Sequence, residues 1–425
     1  MTEKRFDRLF ETYYEETLSN GLTVRVFYKP EFDKTYAFLA IRCGAVDFQF
    51  TQNGTRVETP AGIAHYLEHK MFDLPEGNAM QMFAELGGSP NAFTGYDMTA
   101  YFVQTTQNAE ENLRLLLRMV LTPCFNEQSV RKERGIIAQE IKMYEDSADS
   151  RLYELLNANL FPEHTLSVPI AGSVESIEGV TAANLRQFYD AFYQPSNMIL
   201  CVEGNLAPER VLAAAIEQTD PAFVPHAVSD CSLRQFAPPA RDVRLEMDVA
   251  LPMFTLGFPL PDLVPGDAKT EIAADLAGEL LAGEASELYQ ELYAQGLIDS
   301  SFSIGFESVR EKALFAAAGD SVDPDRVCEA ILERAERLRR EGIPSDELRR
   351  LKKSALGRRL RGLDSFSGTC YREAACFLDG FEYLDFPDVY ASVTEQDVLR
   401  QLSCVVPQTA VRVTILPREQ KEEAS

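Results

Sequence analysis

Histidine is scarce in this chain, with four in 425 residues, and none of the eight cysteines is paired in a CxxC spacing. Without such pairs, and in a chain this long, the cysteines read as reduced interior residues rather than as a disulfide framework. Long apolar runs are missing as well, since none approaches the ~20 residues needed to cross a bilayer. The opening stretch MTEKRFDRLFETYYEETL is charged and amphipathic, with neither a signal-peptide apolar region nor a small-residue cleavage site. These absences lead us to expect a cytoplasmic protein with no membrane span. Positive charge is in deficit too: 41 lysines and arginines face 66 acidic residues, a net charge of −25. Nucleic acid is therefore not an expected partner; basic ligands, or solubility alone, fit that balance.

What remains is ordinary for a soluble globular chain, 45 % hydrophobic and 25 % charged, and long enough for two to three domains. TLSNGLTVRVFYK and TYAFLAIRCGAVDF read as strands, with turns at Asn20-Gly21 and Lys29–Lys34. Helices are predicted at about 60–72, 78–87, 108–121, 127–160 and 181–193, with the extended run NAFTGYDMTAYFVQTT among them and the strand NMILCVEGN after them. DPAFVPHAVSDCSLRQFAPPA has prolines and no periodicity, and reads as a linker. The division expected is a first domain over 1–217, a linker over 218–242 and a second domain over 243–425. Beyond the linker the order returns: strand VALPMFTLGFP, helices KTEIAADLAGELL and ASELYQELYAQG, the extended run SSFSIGFESV, strand ALFAAAGDS, helices at about 324–341 and 345–362, and strand AVRVTILP.

A shift of 209 residues lays GIAHYLEHKMF over EIAADLAGELL. Ile63, Ala64 and Leu67 meet Ile272, Ala273 and Leu276, so the apolar frame is kept. His65, Glu68 and His69 meet Ala274, Ala277 and Gly278. The duplicate helix packs without the polar triplet, so packing alone does not account for it. On a helix, residues four apart share a face, and His65 and His69 can offer two imidazole nitrogens to one ion with Glu68 beside them. Two histidines at i, i+4 with an interposed glutamate form a zinc-peptidase arrangement.

Catalytic zinc takes three protein ligands and leaves a position for water. His164, His226 and the carboxylates are the candidates for the third. In RKERGIIAQEIKMYEDS the apolar stripe runs through Ile136, Ile137, Ile141 and Tyr144, and Glu140 falls among them. A carboxylate inside such a stripe is costly unless paired or bound to metal. Glu133 lies two turns earlier on nearly the same face. Glu140 is the third ligand we favour; His226 sits in the linker, and His164 reads as a packing or capping residue.

HYLEH, the ERGIIAQE segment, NAFTGYDMTAYF and YQPSNMILCVEGN together resemble the pitrilysin or insulinase family of inverzincin metallopeptidases, which includes mitochondrial processing peptidase. The resemblance spans essentially the whole chain, as one two-domain half of the full-length clamshell enzymes, and its length is similar to short bacterial YfmH-type members. It implies an α+β fold of two tandem homologous domains, each an antiparallel-dominated sheet with helices on one face. It also implies one zinc per chain held by His65, His69 and Glu140, with Glu68 as general base and Glu133 in support. The substrate would be an extended peptide added to the edge of NAFTGYDMTAYFVQ, contacting Asn91, Ala92, Phe93 and Thr94. The function expected is a zinc endopeptidase; a non-catalytic assembly subunit and a zinc hydrolase of non-peptide substrates stay open.

The resemblance also implies an Arg–Tyr pair, on the half facing the zinc, that reaches toward the carbonyl oxygen. The matching segment is SELYQELYAQGLIDSSFSIGF, where Tyr293 and Asp299 stand in those places. An aspartate cannot donate to an oxyanion at neutral pH and opposes it. The expected partner is therefore a related zinc-less subunit carrying the Arg–Tyr pair, in a heterodimer, with a homodimer as the alternative.

Overall fold

The computed structural model describes residues 1–219, 228–230 and 240–418. Most of the linker segment, with His226, lies outside them; of its described part, Val228–Asp230 forms a strand antiparallel to Gln49–Gln52. The chain is α+β and divides into two compact units. The first comprises Met1–Ile141, Val168–Leu233 and Arg359–Asp385; the second comprises Lys142–Ser167, Arg234–Arg358 and Phe386–Ser425.

In the first unit a seven-stranded sheet runs in the order Thr2–Phe6, Glu11–Thr17, Thr23–Tyr28, Met198–Gly204, Thr35–Ile41, Thr99–Thr105, Gly88–Thr94. Every pairing is antiparallel except that of Met198–Gly204 with Thr23–Tyr28. The second unit holds five strands in the order Asp242–Met247, Val411–Pro417, Met253–Pro259, Lys312–Asp320, Ser303–Val309, again with the first pair parallel and the rest antiparallel. Apart from the N-terminal hairpin, the two sheets repeat one topology, as the duplication in sequence predicts. Thr35–Ile41 and Met198–Gly204 are buried on both faces and are largely apolar, with Glu203 the one charged residue among them.

The faces are covered differently from the one-sided layer expected. One face of the larger sheet carries Ile63, Leu67, Leu113, Leu116, Phe188 and Val211 from the first half's helices. The other face packs Tyr36, Phe38, Ala40, Ile199 and Cys201 against Phe366, Cys370 and Ala374 of the helix Phe366–Asp379, which belongs to the second half of the sequence. The second unit mirrors this with Ala148–Leu160, from the first half, on Met253–Pro259 and Val411–Pro417. Gly257 makes room for it: a β-carbon there would meet Leu156 Cδ1 at 2.5 Å. The expected domains over 1–217 and 243–425 each contain one of these helices, whereas each packs in the other unit.

The helix expected over 127–160 is two, Glu127–Asp146 and Ala148–Leu160, because Ser147 leaves helical geometry and its hydroxyl caps Ser150 N–H. Phe366–Asp379 has no clean apolar period, since it buries Thr369 and Glu373 among its apolar residues. It was unpredicted for that reason; Pro208–Gln218, Phe386–Ser392, Glu395–Leu402 and the strand Asp242–Met247 were unpredicted too. Among the described residues no helix is long and apolar enough to cross a membrane, and the seven described cysteines are free.

Candidate metal centre

The helix Ile63–Lys70 starts from a bend that only glycine allows. Gly62 has φ +86°, and a β-carbon on it would lie 2.3 Å from the Ala171 carbonyl oxygen. Ile63, Ala64, Tyr66 and Leu67 then bury against the core. The Tyr66 hydroxyl donates to the Val130 carbonyl and ties this helix to Glu127–Asp146. His65 and His69 emerge on one side with ring centroids 4.7 Å apart. His65 and Glu68 are buried, and His69 is half-buried.

Glu127–Asp146 turns a different stripe inward from the one expected. Val130, Ile137 and Ile141 are buried, whereas Ile136 is 52 % exposed and Tyr144 is exposed too. Glu140 therefore stands at the margin of the buried stripe and not within it. It is brought to the histidines by helix placement, and the cost of an interior carboxylate plays no part.

The side chains of His65, His69 and Glu140 converge. His65 Nε2 lies 3.6 Å from Glu140 Oε1, and His69 Nε2 lies 3.3 Å from Glu140 Oε2. One donor atom from each residue falls within 4.8 Å of the others. Zinc with bonds of about 2.1 Å sets neighbouring tetrahedral donors roughly 3.4 Å apart, so the set fits a three-ligand zinc site. Behind it, His69 Nδ1 is 3.1 Å from Glu133 Oε1, whose other oxygen is 3.9 Å from Lys70 Nζ. A carboxylate that accepts from Nδ1–H directs the Nε2 lone pair toward the ligand position. Among the described residues His65 has no such support, since its buried Nδ1 meets no hydrogen-bond partner there.

The charges follow this arrangement. Burial works against the His69 imidazolium, but hydrogen bonds to Glu133 and Glu140 and the field of Glu68 outweigh it and push the group up to about 9. The His69 hydrogen bond in turn holds Glu133 below the usual carboxylate range. Glu68 Oε2 accepts a hydrogen bond of 2.7 Å from Thr94 Oγ1.

Thr94 ends the strand Gly88–Thr94, which is the last in its sheet and, among the described residues, pairs only with Thr99–Thr105. Along it the faces alternate. Ala92 packs toward the helices, while the Phe93 ring meets Phe38, Phe102 and Tyr371 on the opposite face. Asn91 Oδ1 accepts the Ala92 N–H at 2.9 Å. His164 belongs to the second unit, where its Nδ1 accepts Leu166 N–H at 3.1 Å and its Nε2 is 3.5 Å from Glu311. Sequence reasoning missed the Thr94–Glu68 contact. Alternation placed Thr94 on a face with Ala92, but nothing local places that face against Glu68.

A doubly repeated α+β chain with two helix-borne histidines and a glutamate from a second helix defines a metallopeptidase-like class. The profile described as Insulinase (Peptidase family M16) matches residues 50–174, and that described as Peptidase M16 inactive domain matches 179–355. An uncharacterized zinc protease of Bacillus subtilis, YmfH, is 36 % identical over 409 residues, covering 92 % of this chain and 94 % of its own. The chain belongs to the insulinase family of peptidases, M16. The crystal structure of an M16-like peptidase from Alicyclobacillus acidocaldarius superposes with a TM-score of 0.91 at 31 % identity, over 95 % of this chain and 98 % of that one. Pitrilysin shares the fold at a TM-score of 0.76 and 17 % identity, with 98 % of this chain matching 46 % of that one.

Proposed function

We propose that this protein is a zinc-dependent endopeptidase that cleaves extended peptides or unfolded segments, with one zinc per chain on His65, His69 and Glu140. The convergence of those three donors beside the buried Glu68 carries the reading, and the zinc-protease relatives support it. A zinc ion held there supplies Lewis acidity to the scissile carbonyl and to the attacking water. Glu68 takes the proton of that water on a carboxylate oxygen and returns it to the departing amine nitrogen. Glu133 holds His69 in one tautomer. The open edge of Gly88–Thr94 receives the peptide by main-chain hydrogen bonds, and Asn91 gives up its hold on the Ala92 amide as it does so.

The same reading makes this chain the catalytic subunit of a heterodimer. Asp299 accepts hydrogen bonds from Ser301, which hold its carboxyl below the usual range, and Tyr293 stacks on Tyr289 at 6.0 Å. Asp299 has no proton to donate and Tyr293 offers one hydroxyl without the guanidinium charge, so a related zinc-less subunit carrying the Arg–Tyr pair is the partner that completes the site. The free cysteines support a reducing, cytoplasmic setting.

The test is Glu68→Gln. The variant is expected to retain its metal and fold and to lose peptide cleavage by at least ~100-fold, the scale of a general base. Turnover retained in a preparation free of other proteases overturns the role. Metal retained in a wild-type complex that cleaves no member of a peptide library points instead to a non-catalytic subunit or a non-peptide hydrolase.

A further inference from the structure

We infer that Thr94 is a positioning residue for Glu68, and that its hydroxyl does not donate to the substrate. The inference rests on Glu68 acting as the base in peptide hydrolysis. In the 2.7 Å contact between Thr94 Oγ1 and Glu68 Oε2 the threonine hydroxyl donates and the carboxyl oxygen accepts. A hydroxyl has one proton. Committed to Glu68, it cannot also be given to a bound peptide.

The contact also distinguishes the two carboxylate oxygens. Oε2 is held as an acceptor, so the proton drawn from water goes to Oε1, whose O–H bond forms as the water O–H bond breaks. The same Oε1 proton then passes to the amine nitrogen as the peptide C–N bond breaks, and Glu68 ends as the carboxylate it began as. Without the anchor, the side chain can rotate between its staggered conformers and the proton can settle on either oxygen.

Thr94 is itself held rigidly. It pairs with Thr99, which is fully buried and whose hydroxyl donates to the Cys43 carbonyl at 2.8 Å. The turn that follows is closed by Gly95 N–H on Met98 O at 2.8 Å, and Ala45 N–H fixes Gly95 O at 2.9 Å. One residue earlier, Phe93 locks the strand from the opposite face through Phe38 and Phe102. The last residue of the strand proposed to seat the substrate is thus the one that orients the base, and strand and base are placed by a single rigid hairpin end.

The experiment uses the zinc-loaded protein with its partner subunit and a quenched-fluorescence peptide. Thr94→Val keeps the shape and removes the donor; it is expected to lower kcat by ~10- to 100-fold with KM within about 2-fold and metal content unchanged. Thr94→Ser, which restores the donor, should recover activity to within about 3-fold. In a Glu68→Gln background, Thr94→Val should cost less than about 2-fold, because the group it positions is already gone. A crystal structure of Thr94→Val should show the Glu68 carboxylate rotated away from its wild-type position. A raised KM at unchanged kcat would make Thr94 a substrate contact, and an equal loss in the Glu68→Gln background, or an unmoved Glu68, would make it structural; each overturns the inference. Failure of the underlying reading looks different, because Glu68→Gln itself would then remain active.

Discussion

His65 and His69 carry the same side chain in different surroundings. His69 has Glu133 behind its Nδ1 at 3.1 Å, while the corresponding nitrogen of His65 is buried without a partner among the described residues. Orientation of the imidazoles is thus concentrated on one of the two, and the substitutions rank accordingly. Glu140→Gln or His65→Ala removes a donor outright, and each should leave the protein without zinc after mild chelation. Glu133→Ala removes only the support and should weaken zinc binding by ~10- to 100-fold with the site still formed. Metal content against competing chelator concentration separates the three. Full occupancy in Glu140→Gln would overturn the ligand assignment.

Among the elements, the helix Phe366–Asp379 shows how burial sets ionisation. It covers Arg25, which lies 2.6 Å from Glu373 on the helix and 2.7 Å from Glu15, and the guanidinium lies over the Tyr13 ring. Under the same helix Glu203 is 1 % exposed, and one of its carboxyl oxygens has no hydrogen-bond partner among the described residues. Burial pushes this carboxyl up to about 8 from an ordinary 4.5, against the opposing charges of Lys29 and Lys34. The folded protein then holds a proton that the unfolded chain releases, so the stabilising contribution is complete below about 4.5 and is lost as pH rises toward about 8. The loss is on the order of a few kcal/mol. Glu203→Gln should flatten that decline. Urea midpoints at pH 5 and pH 8 are expected to draw together in the variant, and an unchanged gap would show that Glu203 does not titrate in this window.

For the molecule as a whole, the reciprocal exchange of helices makes each unit depend on both halves of the sequence. A fragment of residues 1–217 lacks Phe366, Cys370 and Ala374, which cover Tyr36, Phe38, Ile199 and Cys201. It should be aggregation-prone, bind a hydrophobic dye and unfold without a cooperative transition, because an apolar sheet face is left in water. Cooperative unfolding of that fragment would refute the dependence. The proposed pairing with a zinc-less subunit is tested on the intact chain. Purified alone, it should cleave peptides poorly, and its native mass together with that of the reconstituted pair should identify the active species as a heterodimer. Robust cleavage by the isolated chain would rule out an obligatory partner.

The sequence by itself determined what is local or periodic. Four-residue spacing puts His65 and His69 on one helix face, alternation marks the strands, and a shift of 209 residues exposes the duplication that the two sheets repeat. Glu140 was singled out, but by an apolar stripe that the structure draws differently, with Ile136 in solvent and Val130 inside. The approach of Glu140 to the histidines is set by how two helices pack, through contacts such as Tyr66 with Val130 that leave no trace in either helix's own pattern. The exchanged helix was hidden because Glu373 breaks its apolar period, and that break is tolerable only because Arg25, 348 residues away, meets it. Thr94 is the same case at the site: strand period assigns it a face, but only tertiary structure brings that face to Glu68. Spacing along one element is encoded within a few residues, whereas the register between elements is decided by the whole core, and it is at that level that these side chains meet.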